Sequence, residues 1–128
     1  MGKNPKRSRK NPPRNSPDLI TPRVLFKKPV FSKKPRSSMW RKVRAEHLKI
    51  YNACMACGGR VSLEVHHLMP YQIAPELELD HDNLITLCEG RSRCHWIVGH
   101  LLNWRSYNPN AKADALAFFN KVKDRPVI

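Results

Sequence analysis

A small α+β fold, with a hairpin of two short strands set among helices and tied together by a metal, is predicted from three features of the sequence. Four cysteines, Cys54, Cys57, Cys88 and Cys94, frame the middle of the chain. Two short apolar segments lie inside that frame, one alternating at Val61, Leu63 and Val65 and one continuous from Leu84 to Leu87. Segments with apolar residues at helical spacing flank it on both sides.

The 128 residues suffice for one compact domain. Residues 1–46 hold fifteen Lys or Arg against Asp18 and Glu46, and seven of the eleven prolines, so nearly all of the formal charge of +14 belongs to the N-terminal part. The remainder is close to neutral. This divides the chain into a basic, proline-rich arm over 1–36, extended or disordered, and a folded module over 37–128 with its core at 54–104. Prolines remove backbone donors and like charges repel, so no packed element is expected before Asp18. The apolar clusters at Leu19-Ile20, Val24-Leu25-Phe26 and Val30-Phe31 can either lie across the module or form a linker that docks with a partner.

Ser37 or Ser38 can cap a helix running from about Met39 to Asn52, with Trp40, Val43, His47, Ile50 and Tyr51 on its apolar face and Arg41, Lys42, Arg44 and Lys49 outward. After Cys57, Gly58 and Gly59 suit a sharp turn. Val61–His66 reads as a strand with one buried face, closed by Pro70. The stretch 72–82 carries Pro75, Glu76, Glu78, Asp80 and Asp82 and reads as a solvated acidic loop. A second strand, Leu84–Leu87, runs into Cys88. Arg93 to about Trp104 is expected to be helical, and Asn108-Pro109-Asn110 breaks it. Asn110 then caps a terminal helix over about 110–123, with Ala115, Leu116, Phe119 and Val122 as its apolar stripe. Trp96, Trp104 and Tyr107 are expected in the core, as a module this small needs large side chains there.

Two thiolates spaced C-x2-C can grip one side of a tetrahedral ion, and Cys88 and Cys94 can complete the other. Two disulfides or free thiols are the alternatives, and four cysteines permit three pairings. No apolar run of signal-peptide type follows the basic start, so a reducing compartment, cytoplasmic or host intracellular, is expected, and there a structural zinc is favoured. No stretch is apolar enough to span a membrane.

His66 and His67 are neighbours on a strand and so point to opposite faces. They cannot share one metal without distortion, and a useful division places one ring on a metal and the other beside the substrate. Glu64 shares a face with His66 and can either orient that ring or stand exposed. His81, in the acidic loop, reads as solvated.

Taken in order, Cys54-x2-Cys57, Leu63-Glu64-Val65-His66-His67, Asp82-Asn83-Leu84-Ile85-Thr86-Leu87-Cys88 and Cys94-His95 resemble an HNH endonuclease of the ββα-metal (His-Me finger) class, in the subgroup with a cysteine-bound structural zinc. The resemblance covers roughly residues 54–100. It implies His66 and His95 as ligands of a catalytic divalent ion (Mg, Mn, Ni or Zn), His67 as general base, and Asn83 as a brace for the loop that carries His67. It also implies metal-dependent hydrolysis of DNA, preferably duplex, to 5′-phosphate and 3′-hydroxyl ends, in a phage or mobile-element setting. His100 is a further candidate ligand, but on an α-helix its ring would stand about 140° around the axis from His95.

The arm and the first helix supply candidate phosphate contacts at Lys6, Arg7, Arg9, Lys10, Lys33, Lys34, Arg36, Arg41 and Lys42, with Arg105 beyond the metal motif. These contacts bring affinity without selection, so a specificity or assembly partner protein is also expected. The alternative function is a non-catalytic, zinc-stabilised nucleic-acid-binding or assembly protein. It accounts for the arm and the cysteines but not for His66-His67, Asn83 and His95 together.

Overall fold

The computed structural model describes residues 34–128. The arm residues Lys6, Arg7, Arg9, Lys10 and Lys33 therefore lie outside the described residues. Helix α1 spans Trp40–Ile50, strand β1 Leu63–His67, strand β2 Leu84–Cys88, and helix α2 Ala111–Lys123. Between β2 and α2 lies a single π-helical turn, His95–Gly99. The two strands pair antiparallel, with Leu63 opposite Cys88 and His67 opposite Leu84. A small α+β fold with a ββα-like core and flanking helices results. No helix among the described residues is long and apolar enough to cross a membrane.

The core forms around the sulfurs. Cys54, Cys88 and Cys94 are buried together with Ala56, Ile85, Leu87, Ala111 and Ala115. All of β2 is buried, as expected of an apolar run with cover on both sides. β1 flanks one edge, and on the other the segment after α1 reaches in: the Met55 amide donates to the Thr86 carbonyl and the Thr86 hydroxyl to the Tyr51 carbonyl. Gly58 takes φ +75°, so the chain can turn back immediately after Cys57. The Cys57 and Cys88 sulfurs stand 3.6 Å apart, far beyond disulfide length, and all four cysteines are free. Sulfurs held about 2.3 Å from a tetrahedral ion stand roughly 3.8 Å apart, so the cluster has the dimensions of a closed four-thiolate metal site.

The protonation of the sulfurs suits that use. Burial raises the thiol pKa of Cys57, but the Gly59 amide and the three neighbouring sulfurs outweigh it and bring the value down to about 7. Burial pushes the Cys88 and Cys94 thiols up. One proton is thus readily lost, and a cation among the sulfurs would draw off the rest.

Several expected details are corrected. The α1 N-cap is Met39 without a side-chain cap; the Ser37 hydroxyl instead accepts the Met39 amide, one step before the helix. His47 is buried, whereas Ile50, in the same last turn, is 69% exposed. β1 begins at Leu63 and not Val61, since Ser62 at φ +56° breaks the extended run and leaves Val61 exposed. The helix expected over 93–104 is absent beyond Gly99: Leu101 and Leu102 have positive φ, and the chain folds back. Asn108, read from sequence only as a breaker, anchors that return. Its amide donates to the Val98 carbonyl and the Asp114 carboxylate, and its side-chain oxygen accepts the Asn110 amide. Asn110 occupies the α2 N-cap position without a side-chain bond, and of the expected stripe Ala115 is buried, together with Ala111 outside it, while Leu116 and Phe119 are exposed. The acidic loop is not wholly solvated either. Glu78 is 4% exposed, and its carboxylate accepts the Ser37 amide and the Arg36 Nε–H.

Two outcomes are expected. Replacing Cys57 with Ser should release the bound ion and melt the module, given that sites of this kind contribute about 10 kcal/mol or more; metal content and a thermal melt would read it. His47 sits below the ordinary histidine value of 6.5 because burial, then the charge of His81, disfavours its protonated form. Its contribution is therefore present above pH 6.5 and lost as pH falls through the lower folded value. Urea midpoints at about pH 7.5 and 5.5 should diverge more for the wild type than for His47→Gln.

Candidate metal centre and cleft

β1 delivers its last two residues to opposite sides, as alternation requires. The His66 ring lies against His95 and His100, with ring centroids 5.0 Å from each, while the His67 ring packs on Trp40 at 4.5 Å. Ligand nitrogens of His66, His95 and His100 all fall within 4.8 Å of one another. His66 Nδ1 and His95 Nε2 stand 3.1 Å apart. Nitrogens about 2.0–2.1 Å from a common tetrahedral ion would stand roughly 3.3 Å apart, so the three rings fit a divalent cation.

His100 joins this cluster through a local departure from α geometry. Its amide donates to the His95 carbonyl, an i→i+5 bond that closes one wide π turn. The wider turn replaces the angular offset of an α-helix and brings His100 back beside His95, with ring centroids 4.9 Å apart. The carbonyls left over at the end of the turn are taken by Asn108, whose side chain and backbone bond Val98 and Gly99. Gly99 has no side chain for a direct reason: a Cβ there would stand 3.0 Å from His66 Cε1, 3.1 Å from His66 Nδ1 and 3.2 Å from His95 Cδ2.

Hydrogen bonds define the rings' tautomers. A carbonyl or carboxylate only accepts, so the nitrogen facing it carries the proton. His100 Nδ1 donates to the Ser106 carbonyl at 2.7 Å, and His95 Nδ1 faces the Glu89 carboxylate at 2.9 Å. Both rings keep Nε2 as the lone-pair nitrogen. Burial, followed by the neighbouring His95, His100 and His67, lowers the His66 pKa to about 3 and keeps that ring neutral, the form that binds metals. His100 is also held below its ordinary value by burial, against the pull of the Ser106 bond.

His67 is held separately. Its Nε2 donates to the Glu78 carbonyl at 2.9 Å, which leaves Nδ1 as acceptor. Burial lowers its pKa; the Glu78 bond opposes this and the Arg36 charge adds to it. Asn83 stitches together the loop between the strands: its side-chain oxygen accepts the Met69 amide, and its amide donates to the carbonyls of Met69 and Leu77. His67 and the three clustered histidines border one cleft of about 280 Å³, with Arg36, Arg44, Tyr71 and Gln72 at its margins.

The remaining predicted residues distribute unevenly. Glu64 pairs with Arg44 at 2.9 Å and does not contact His66. His81 stacks on His47, away from the cluster. The Arg36 guanidinium lies over Trp40 and Tyr71 and pairs with Glu78, which places it at the cleft rim. Lys34, Arg41, Lys42 and Arg105 are exposed. Trp104 is not core: it is 54% exposed and meets the His95 and His100 rings edge-on or tilted. The backward fold after Gly99 carries it there. Trp96 and Tyr107 are half-buried, with Arg93 lying over Trp96. Tyr71, Gly99 and Ser106 had no distinguishing signal in the sequence, since each acts through neighbours brought in by the fold.

Gly99→Ala should force the His66 and His95 rings apart and weaken metal binding at the cluster on the order of tenfold, while the sulfur site retains its ion; metal titration with a parallel thermal melt would check both.

Residues 54–100 match the family model described as HNH endonuclease. No curated protein and no solved structure matches the chain. The matched segment begins at the first sulfur of one cluster and ends at the last imidazole of the other, so residues 54–100 carry an HNH endonuclease family domain that takes in both clusters.

Proposed function

We propose that the protein is a metal-dependent endonuclease that hydrolyses phosphodiester bonds of DNA, preferably duplex, with zinc in the four-cysteine site. The observation that carries this reading is the shared cleft. On one side stand three imidazoles suited to a cation; on the other, His67 has one nitrogen tied to Glu78 and the other available as an acceptor.

A divalent ion held by His66, His95 and His100 would supply Lewis-acid stabilisation of the charge that grows on the phosphate. Three imidazoles without a carboxylate favour nickel or zinc over magnesium or manganese, which prefer oxygen ligands. His67 acts as general base: its neutral ring takes a proton from the attacking water at Nδ1, while the Glu78 carbonyl holds Nε2–H and fixes the ring plane. Asn83 positions this base indirectly, by holding the backbone of Met69 and Leu77 around it. Attack by water on the side opposite the 3′ oxygen leaves 5′-phosphate and 3′-hydroxyl ends.

Arg36 at the rim, Arg41 and Lys42 on α1, and Arg105 after the π turn are the candidate phosphate contacts among the described residues, together with Lys34; from the sequence, Lys6, Arg7, Arg9, Lys10 and Lys33 are candidates as well. Their contribution is sequence-independent and falls with salt. A protein partner would add sequence selection.

Supercoiled plasmid incubated across a series of divalent metals tests the whole reading. The wild type should nick or linearise it. His67→Ala should bind metal and DNA as the wild type does and cleave about 10²–10⁴-fold more slowly. Equal cleavage by that variant would overturn the role of His67, and no cleavage by the wild type with any ion would overturn the activity.

A further inference from the structure

Glu89 has no part in the ligand sets, yet its carboxylate Oε1 lies 2.9 Å from His95 Nδ1. The pairing follows from the register of the two metal sites. Glu89 directly follows Cys88, and His95 directly follows Cys94. When the sulfurs draw Cys88 and Cys94 together, the next residue on each side is carried along, and the loop 89–94 closes with carboxylate and imidazole face to face. The Arg93 amide donates to the Gly90 carbonyl across this loop, and Arg93 itself takes φ +47° to complete it.

The chemical consequence is directional. A carboxylate accepts, so Nδ1 of His95 carries the proton and the lone pair sits on Nε2. That Nε2 is the atom 3.1 Å from His66 Nδ1. In the other tautomer, the nitrogen facing the cluster would carry a hydrogen and could not bind a cation. A carboxylate behind a ligating imidazole also raises its basicity as a donor.

The structure assigns Glu89 as the positioning residue of the three-histidine site: it selects the Nδ1-protonated form of His95 and aims Nε2 at the ion. This rests on the reading above that the cluster holds a divalent cation. Trp104, whose ring lies 5.3 Å from His95 and 4.8 Å from His100, offers a fluorescence reporter within reach of that cation.

Full-length wild type, Glu89→Ala and Glu89→Gln, each with zinc in the sulfur site, would be titrated with nickel. Binding is followed by calorimetry and by tryptophan quenching, and the His95 tautomer by nitrogen-15 NMR before nickel is added. Glu89→Ala should weaken nickel binding about 10–100-fold and populate both His95 tautomers. Glu89→Gln, whose amide oxygen can accept the same bond, should keep the wild-type tautomer and most of the affinity. Melting temperature and zinc content should be the same in all three. Unchanged affinity and tautomer in Glu89→Ala would overturn the assignment, as would a Gln variant that loses as much as the Ala variant. Wild type that takes up no nickel at the histidines would instead overturn the metal reading of the cluster, and this assignment with it.

Discussion

The contact among four sulfurs is the constraint on which the remainder of the molecule depends. With only two strands among the described residues and small alanines at the helix contacts, there is little apolar surface to bury, and three of the cysteines are themselves members of the core. Cys54 and Cys57 pin the segment after α1, Cys88 pins the end of β2, and Cys94 pins the start of the π turn. A cation among these thiols would convert ligand binding directly into folding free energy. It would also hold the π turn across from β1, the placement that brings His95 and His100 to His66.

Around this frame, the histidines are managed by one device used repeatedly. Each of three rings has one nitrogen tied to an acceptor: His67 to the Glu78 carbonyl, His95 to the Glu89 carboxylate, His100 to the Ser106 carbonyl. The other nitrogen of each is thereby left as a lone-pair donor. His66 reaches the same neutral state by burial. Strand alternation then separates the roles, turning His66 toward the cluster and His67 toward Trp40 and the loop braced by Asn83. Irregular backbone is concentrated in the same place. A π turn, a glycine backed against two imidazoles, and leucines at positive φ all lie within residues 95–102, where local preference yields to the arrangement of the rings.

Much of the fold was legible in the sequence because its signals are local. β2 and α2 follow from an apolar run and from helical spacing, and their spans agree with expectation. The turn at Gly58 follows from its freedom at positive φ. Two misreadings arose where a hydrogen bond from outside the element outweighed a local preference. Asn108 ends the expected helix by taking the Val98 and Gly99 carbonyls. Glu78, one of several acidic residues in its loop, is buried because the Ser37 amide and Arg36 come to it from more than forty positions away.

Covalent spacing and side-chain chemistry alone determined the two ligand chemistries, sulfur and imidazole, and the opposite facing of His66 and His67, because these depend on neighbours in the chain. Tertiary structure alone decided that His100 stands with His95, that Glu89 backs the latter, and that Trp104 is open to solvent beside them. Each depends on how the chain closes around Cys94, where Glu89, Ser106 and Asn108 bind groups six to ten positions away that no periodic pattern pairs with them.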